Sequence, residues 1–574
     1  MKATRLVAAI VGLVMMSLGL VGALAPAQAA PNSLHVPIRG SGSSWSGNMI
    51  AQWVANVRGN YGWVVNYTSS GSTVGRTEFA SSLTQFGASD IPYAAANSNE
   101  QETLPARGFS YMPIVAGGTV FMYNLKIGGK RVTNLRLSGD TVAKIFTGVI
   151  TTWSDKQIAD ENPALALPSI PIIPVVRSDG AGETAQFTTW LRQEHSALWD
   201  GYCGTVGRPT IAGHCGITSN YPIKAGSRFV AQAGANGVAA YTAADAAAGA
   251  ITMVQYSYAL NLKFPVAKLL NNAGYYTEPT ASNVAVALLQ AKINYDKSSV
   301  NYLTQDLSSV FTGTDKRSYA LSSYSYVILP TPPRGPNGEI QTQPGLTTDQ
   351  GLTLADFAAY FLCEGQRDAD TSGYSPLPIN LVQAGQEQIK KIPGADPIIK
   401  GTSDCNNPTF DPTDTSATSN KLARTAPYPP DCDKAGPVQC TTGTGGAKDT
   451  PTAATKGSGA GGTPNGGSVG GGDGGTGGAG AAGGAGGAGA AGGDSAALGP
   501  DAQAISADGT TGGGPLVMAG TPQSLPAAHI GAMAPLGLTG GGLGLLAAAA
   551  LPPLLGKRRP RSLLPTPTRG SARD

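Results

Sequence analysis

The stretch that most constrains the fold of this chain is Ile170–Leu191, where an apolar run leads through a glycine turn into a helical pattern. Ile170–Val176 is apolar enough to form a buried parallel strand, and Asp179–Gly182 form the turn. From Thr184 onward, apolar residues recur at helical spacing. A strand that leads directly into a helix points unpaired backbone N–H groups at one spot, and such a spot attracts anions. The stretch therefore predicts an α/β unit with an anion site.

Arg177 follows this strand directly. Its guanidinium adds a full positive charge and a planar pair of donors that fits an oxyanion. The alternative interpretation is an ordinary strand-to-helix turn with a surface arginine, because short glycine motifs are common. The stretch by itself leaves both interpretations open.

The same arrangement recurs nearer the N-terminus. Three short runs have the composition of strands: Val36–Gly40, Val64–Tyr67 and Phe86–Ala88. Each ends in small polar or acidic residues, which are Gly40–Trp45, Ser69–Thr73 and Ser89-Asp90. Serine and glycine are usual turn and cap residues, so each of these turns by itself does not indicate a binding site. Their recurrence indicates a site, because ligands of open α/β sheets lie beyond the carboxyl ends of the strands.

Strand-like and helix-like runs alternate from Ser33 to Cys440, which predicts an α/β architecture. Tyr111–Tyr123 is rich in strand-forming residues and is predicted to link two lobes. Ser325–Leu329 is predicted to return as a strand into the first lobe. Tyr202–Tyr221 is predicted to be an irregular loop that contains two cysteines.

The N-terminus has the pattern of a secretory signal. Lys2 and Arg5 precede the apolar run Leu6–Leu24, and the Ala-Gln-Ala sequence at 27–29 supplies the small residues of a cleavage site. We therefore predict export and a mature chain that begins at Ala30. An N-terminal membrane helix is the alternative, and the short apolar core disfavours it.

The C-terminal region contains a second apolar stretch. Leu536–Leu555 is uncharged and has about 20 residues, enough to span a bilayer as a helix. Four of the five residues in Lys557–Arg561 are basic, and positive residues stay on the cytoplasmic side. We therefore predict a membrane anchor that holds the folded part outside, at the cell surface.

Thr441–Gly514 consists mostly of Gly, Ala, Ser and Thr. Such a composition cannot bury enough apolar surface to fold, so we predict a disordered tether. As a flexible coil it would have a root-mean-square span of roughly 50 Å. A glycine-rich structural domain is the alternative, and no strict repeat period supports it.

The net charge of the whole chain is +3, but this value comes from the ends. The signal segment and the tail after Gly556 hold eight of the 39 Lys and Arg residues and one of the 36 Asp and Glu residues. The rest therefore carries 31 minus 35, or −4. This balance gives no basic patch of the kind that binds nucleic acid.

The chain has six cysteines: Cys203, Cys215, Cys363, Cys405, Cys432 and Cys440. An even number in an exported chain indicates disulfide bonds. Sequence proximity favours pairing of the first two and of the last two, which leaves the middle pair. A zinc site is the alternative, but no CxxC motif occurs, so we predict no metal.

Seven strings, in order, carry a resemblance to a known family. They are GSGSSW, VNYTSSGS, FGASD, LSGDTVAKIFTGVITTWSD, NPALALP, VVRSDGAGET and GYSPLP, within Leu34–Lys391. This order resembles the phosphate-binding subunit of bacterial phosphate ABC importers, a family of periplasmic solute-binding proteins. The resemblance implies a two-lobed, type II-like periplasmic-binding-protein fold with a hinge. It also implies phosphate or a related oxyanion as ligand, an ABC transporter permease as partner, and no cofactor.

The resemblance implies the two lobes, whereas the terminal segments are predicted from composition, and the tether and anchor are an addition to the family's usual layout; together these predictions give the following domains. They are a signal peptide at 1–29, lobe I at 34–112 and 325–400, lobe II at 113–324, a Cys-containing extension at 401–440, the Gly-rich tether at 441–514, the transmembrane anchor at 536–555 and a basic cytoplasmic tail at 556–574.

The resemblance also implies which residues bind phosphate. They are Ser44, Trp45, Ser72, Asp90, Arg177, Ala181, Gly182 and Glu183, with Asp179 as the partner that orients Arg177. Asp90 corresponds to an aspartate that accepts a proton from the bound anion. Protonated phosphate supplies that hydrogen and sulfate does not, so sulfate leaves a buried acceptor unpaired.

The sequence departs from the family pattern in the glycine turn. The family presents hydroxyl donors at the positions of Ala181 and Glu183, and this chain presents neither. If the Glu183 carboxylate faces the cleft, it repels a dianion. If it points to solvent, it is an ordinary acidic residue at a helix start.

Two further functions follow as alternatives. A cell-surface adhesin or sensor would keep the lobes and lose the ligand, as the altered turn and the anchor would allow. A hydrolase would need a nucleophile with a base, and the four histidines, His35, His195, His214 and His529, lie in no such motif. We therefore predict a binding protein with no catalytic residue.

Overall fold

The computed structural model describes residues 35–100, 102, 104–333, 339, 341–396, 405–416, 418–450 and 452. The predicted signal peptide, the predicted anchor at 536–555 and the basic tail lie outside the described residues, as does nearly all of the predicted tether. Within the described ranges, no helix has both the length and the apolar character needed to cross a membrane.

The core of the fold is a sheet of eight strands. In chain order they are β1 (Ile38–Gly42), β2 (Val65–Thr68), β3 (Phe86–Ser89), β4 (Phe109–Tyr123), β5 (Ile173–Arg177), β6 (Val230–Gln232), β7 (Ala250–Gln255) and β8 (Ser322–Pro330). Their order across the sheet is β6-β5-β7-β4-β8-β3-β1-β2. Strand β1 is parallel to β2 and β3, and β5 is parallel to β6 and β7. Each group therefore presents its carboxyl ends at one edge, as an α/β sheet does.

Strand β4 joins the two groups. Residues 109–118 of β4 pair antiparallel with β8, and residues 119–123 pair antiparallel with β7. All but the first two residues of β4 are buried. One long strand is thus shared by lobe I, which contains β1–β3, and lobe II, which contains β5–β7.

Helices pack on the strands and connect them. They are α1 (Gly47–Tyr61), α2 (Ser72–Ala80), α3 (Gly139–Phe146), α4 (Lys156–Glu161), α5 (Gly182–Glu194), α6 (Ser196–Val206), α7 (Gly234–Ala243), α8 (Tyr256–Asn261), α9 (Ala281–Leu288), α10 (Ser308–Phe311), α11 (Thr348–Leu362), α12 (Ile379–Ile389) and α13 (Lys421–Arg424). Short 3-10 helices are Glu364–Gln366, Asp431–Asp433 and Gly445–Ala447.

Short strands elsewhere in the described residues form smaller sheets. Their strands are Lys126–Ile127 with Lys130–Arg131; Arg136–Leu137 with Lys268–Leu270 and Tyr276–Thr277; Thr210–Ile211 with His214–Cys215; and Lys292–Ile293 with Gln305–Asp306.

Helix α1 shows how the local sequence produces these elements. Met49, Ile50, Trp53 and Val57 recur at helical spacing, and all four are buried against the sheet side of the helix. The helix ends at Gly62, whose φ of 73° lies in the left-handed region that glycine adopts without strain.

The predicted irregular loop Tyr202–Tyr221 is wrong over its first part. Helix α6 continues to Val206, because Trp199, Tyr202 and Cys203 are buried on one face of it. A two-stranded hairpin follows at Thr210–Cys215. The glycines and cysteines of this stretch are typical of a loop, and they obscure the helical spacing of Trp199, Tyr202 and Cys203 in the sequence.

All three predicted disulfide pairings are confirmed. Cys203–Cys215, Cys363–Cys405 and Cys432–Cys440 have Cα–Cα distances of 5.8, 4.8 and 4.9 Å. The described residues contain no free cysteine.

The described residues from 405 to 450, which we name the C-terminal strap, contact both lobes. In lobe I, Asn407 Nδ2 donates to the Leu377 carbonyl at 2.9 Å. In lobe II, Lys268 Nζ lies 2.6 Å from Asp433 Oδ2, and both side chains are buried. The Arg136 guanidinium donates to the Val438 carbonyl at 2.7 Å.

The start of the predicted tether at 441 is too early. Thr444 is buried, and its hydroxyl donates to the Val266 carbonyl at 2.5 Å. A Cβ at Gly446 would lie 2.4 Å from the Ala259 carbonyl oxygen, so glycine is required there by close packing. Residues 441–450 are therefore folded, and Gly446 allows this segment to pack closely against the backbone of α8.

Candidate functional site

The candidate site lies where the carboxyl ends of β1 and β3 face the turn between β5 and α5. Gly182, the first residue of α5, is in contact with lobe I. A Cβ at this position would lie 2.5 Å from both Asp90 Oδ2 and Ser72 Oγ. The fold thus brings the predicted residues of lobe I against the glycine turn of lobe II, and glycine is needed for that approach.

Asp90 follows β3 and is buried in the centre of the site. Ser43 Oγ donates to it at 2.8 Å, Ser72 Oγ at 3.1 Å and Ser325 Oγ at 2.7 Å. Burial raises the pKa of Asp90, while these three hydroxyls and Arg177 lower it. The hydroxyl of Ser43 lies 2.8 Å from both carboxylate oxygens but has one proton. At least one acceptor position of Asp90 therefore remains open to a donor.

Ser44 and Trp45 are placed differently from Ser43. Ser44 is buried, and among the described residues its hydroxyl has no hydrogen-bond partner. The indole N–H of Trp45 donates to Thr119 Oγ1 at 3.1 Å. Their carbonyls are held by two tyrosines from distant segments: Tyr258 donates to the Ser44 carbonyl at 2.6 Å, and Tyr374 donates to the Trp45 carbonyl at 2.7 Å. The loop is fixed through its backbone, which leaves the Ser44 hydroxyl available.

Arg177 ends β5 and is buried. Its Nε donates to Asp179 Oδ1 at 2.8 Å, and its Nη2 forms a second bond to the other Asp179 oxygen. Asp179 thus holds the guanidinium in a bidentate grip, as an orienting partner does. Asp179 in turn accepts from the Gly234 amide at 2.8 Å. Burial lowers the pKa of Arg177, but the carboxylates of Glu183 and Asp179 raise it by more than burial lowers it. The pKa of Arg177 therefore lies above its usual value, and the side chain is charged.

Of the two predicted arrangements of Glu183, the solvent-facing one is wrong, because the carboxylate lies near Arg177, Asp179 and Asp90 at the contact of the lobes. Its carboxylate is fully buried, so it does not point to solvent, and its Oε1 accepts from Arg177 Nη1 at 2.5 Å. Burial raises the pKa of Glu183 to about 7; Arg177 opposes this rise, and Asp90 and Asp179 add to it. A carboxylate of the protein therefore occupies one face of the arginine that was predicted to bind the anion.

The first turn of α5 offers backbone donors. The residue before it, Ala181, makes no side-chain cap, so the amides of Gly182, Glu183 and Thr184 have no intrahelical acceptor. The Ala181 amide itself donates to the Ser219 carbonyl at 2.9 Å. Ala181 therefore contributes neither a hydroxyl nor a free amide, whereas the three positions that follow it have amides without an intrahelical acceptor.

Direct hydrogen bonds between the lobes surround the site. Glu100 of lobe I accepts from the Ser219 amide at 2.6 Å and from the Ser219 hydroxyl at 2.7 Å. The Thr73 amide donates to the Gly180 carbonyl at 3.1 Å, and Gln186 Nε2 donates to the Asp90 carbonyl at 2.8 Å. The two lobes are therefore closed on each other in this structure.

Sequence reasoning missed four residues that build the site: Ser43, Ser325, Tyr258 and Tyr374. Ser43 lies inside the serine-rich turn that was recognised, but the spacing did not tell which serine faces Asp90. Ser325 begins a predicted strand with no site signal, and the two tyrosines come from distant segments. In the part of the chain that the structure describes, no cluster of three or more His, Cys, Asp or Glu could hold a metal ion.

Comparison with known proteins finds one matching family model and several curated relatives. A family model described as the PBP superfamily domain matches residues 25–364. The phosphate-binding protein PstS of Xylella fastidiosa (strain Temecula1) is 30% identical over 355 residues, which cover 62% of this chain and 85% of the relative. The phosphate-binding protein PstS 2 of Mycobacterium tuberculosis is 29% identical over 347 residues, which cover 59% of this chain and 83% of the relative.

Among solved structures, one similar chain is described as a high affinity periplasmic phosphate-binding protein bound with phosphate at pH 8.5. The TM-score is 0.45 and the identity 18%, with 61% of this chain and 93% of the other covered. The names of the two curated relatives are those of binding proteins.

Proposed function

The chain belongs to the PBP superfamily, and from this premise we propose that it is an exported solute-binding protein that clamps inorganic phosphate between its two lobes. The observation that carries the proposal is the buried Asp90, which faces Arg177 across the contact of the lobes and keeps an acceptor position open. The curated relatives bear the names of phosphate-binding proteins, and no observation favours an adhesin or a sensor.

The acceptor explains why phosphate suits the site better than sulfate. Asp90 cannot move to solvent, because it is buried and bound by three serine hydroxyls. A protonated phosphate donates a hydrogen to the open position, whereas sulfate at neutral pH brings only further acceptors. An acceptor that is left unpaired and buried costs about 1–3 kcal/mol, and more for a charged group.

The donors come from both lobes. A guanidinium has five N–H groups; Asp179 takes two of those of Arg177 and Glu183 takes one, which leaves two for a ligand. The amides at the start of α5 and the unpartnered hydroxyl of Ser44 add further donors. Phosphate has enough acceptor atoms to pair with all of them.

We further propose that an ABC transporter permease receives the phosphate, and that the tether and the C-terminal anchor hold the lobes outside the membrane. Support for the permease is the resemblance of the chain to the phosphate-binding subunit of phosphate ABC importers, together with its curated phosphate-binding relatives. Support for the anchor is the apolar Leu536–Leu555 with the basic residues of Lys557–Arg561 after it. When membranes that carry the protein are treated with protease, cleavage within residues 453–514 should release intact lobes. Full-length protein in the medium would contradict the anchor.

Calorimetric titration of the full-length protein with phosphate and with sulfate tests the binding proposal. We expect phosphate to bind and sulfate to bind at least about tenfold more weakly. Asp90→Asn should weaken phosphate binding and reduce the preference over sulfate, because an amide does not accept the phosphate proton as a carboxylate does. Equal affinity for both anions, or no phosphate binding by the folded protein, would contradict the proposal.

A further inference from the structure

Glu183 is the residue of the site that the phosphate-clamp geometry leaves unexplained. One of its oxygens is bound to Arg177 at 2.5 Å. The other oxygen, Oε2, is buried and has no hydrogen-bond partner among the described residues. A buried carboxylate oxygen without a donor is costly, so its presence at a binding site points to a donor supplied by the ligand.

The titratable groups around Glu183 come from three elements. The end of β5 and its turn contribute Arg177 and Asp179, the segment after β3 contributes Asp90, and α8 contributes the Tyr258 hydroxyl. With the three carboxylates ionised, one cation faces three anions, and the group carries two net negative charges before any ligand arrives. A phosphate dianion entering this group meets repulsion at short range.

We infer that Glu183 determines specificity by making the site bind phosphate together with one additional proton. This inference rests on the proposed function. The complex then holds two proton-sharing hydrogen bonds, one from the anion to Asp90 and one between the anion and Glu183 Oε2. Dihydrogen phosphate has two P–OH groups and can form both.

The number of protons in the complex is the same whether phosphate or Glu183 carries the second proton. Dihydrogen phosphate with ionised Glu183 and hydrogen phosphate with protonated Glu183 contain equal numbers of atoms and charges. In either form the orphaned oxygen gains a partner, and the group holds one negative charge less than it would with the bare dianion. The raised pKa of Glu183, about 7, agrees with easy protonation at this position.

The consequence is a defined dependence on pH. When binding takes up one proton, the dissociation constant for total phosphate rises by close to tenfold for each pH unit above the pKa values concerned. Glu183→Gln and Glu183→Thr remove the carboxylate, and their amide or hydroxyl donates to a dianion. Both variants should therefore bind with a dissociation constant that changes less than about threefold over the same range.

The experiment is calorimetric titration of the full-length protein with inorganic phosphate at about pH 6, 7 and 8.5, in two buffers of different ionisation enthalpy. The parent should take up close to one more proton per phosphate than Glu183→Gln does at the alkaline end. Glu194→Gln is the matched control, because Glu194 is an exposed glutamate at the other end of the same helix. It should behave as the parent does.

The outcomes separate this inference from the proposed function. A parent that binds phosphate equally well or better as pH rises overturns the role of Glu183 and leaves the phosphate clamp standing. The same pH dependence in parent and Glu183→Gln also overturns it. A folded parent that binds no phosphate at any pH overturns the proposed function itself. Glu183→Thr serves as the second variant if the glutamine variant does not fold.

Discussion

Glu183 Oε1 lies 2.5 Å from Arg177 Nη1, and both side chains are buried at the contact of the two lobes. The arginine that the resemblance assigns to a bound anion is thus already paired with an anion of the protein. Because breaking a buried pair by removing one partner leaves an uncompensated charge, both residues matter to stability as well as to binding.

Replacing the arginine should affect both properties. Arg177→Ala should abolish phosphate binding, because it removes the cation shared by Asp90, Asp179 and Glu183. It should also lower the free energy of unfolding by about 3–5 kcal/mol, since the buried carboxylate of Glu183 and the half-buried carboxylate of Asp179 lose their partner.

Calorimetry and urea unfolding measure the two effects. Arg58→Ala, which removes an exposed arginine at the end of α1, is the control and should change neither. Arg177→Lys tests the geometry: it keeps the charge without the bidentate grip on Asp179, so we expect weak binding. An unchanged dissociation constant in either Arg177 variant would contradict the site assignment.

The stability of the ligand-free protein should depend on pH through Glu183. Its pKa is about 7 in the folded protein against 4.5 as the reference value, so the folded state binds more protons between these values. The contribution of Glu183 to the free energy of unfolding is therefore fully present below about pH 4.5 and is lost as the pH rises through about 7.

Urea unfolding of the parent and of Glu183→Gln at about pH 5 and pH 8 isolates this component, because other titrating groups are common to both proteins. The parent should lose on the order of 1–3 kcal/mol more than the variant between the two pH values. Equal losses would show that Glu183 is ionised throughout.

Restoring the family hydroxyls should change the affinity in a pH-dependent way. Ala181→Ser with Glu183→Thr supplies two donors and removes one carboxylate, so phosphate should bind about tenfold or more tightly at alkaline pH. The gain should shrink at acid pH, where the parent already holds the extra proton. Titration of the double variant beside Ala181→Ser alone separates the two changes; a double variant that binds no better than the parent at alkaline pH would refute the reading of this turn.

The disulfide that anchors the strap to lobe I should contribute substantially to stability. Cys363 and Cys405 are 42 residues apart, whereas Cys432 and Cys440 are 8 apart. In the chain-entropy model the longer loop contributes about 4 kcal/mol and the shorter about 2.5 kcal/mol. Denaturant unfolding of the two double alanine variants should therefore show the larger loss for Cys363 and Cys405, and the reverse order would argue that strain or residual structure dominates.

The sequence by itself determined the local elements and their chemistry. Apolar runs, helical spacing and glycine turns predicted β1, β3 and β5 and placed Asp90 and Arg177 at strand ends. Short separations in sequence favoured two of the disulfides, and the third followed. These features depend on neighbours along the chain, which is why they are readable without a structure.

The tertiary structure alone decided which groups meet. At the end of β1, Gly42 has a φ of 136°, and a Cβ there would lie 2.0 Å from the Ala88 carbonyl oxygen. This close approach to β3 turns Ser43, and not Ser44, towards Asp90. Likewise, the burial that places Glu183 against Arg177 arises from both lobes, and so does the direction of its pKa shift. Periodicity indicates which face of a helix or strand is buried, but which groups meet there depends on segments far apart in sequence, and so do the pKa shifts that result.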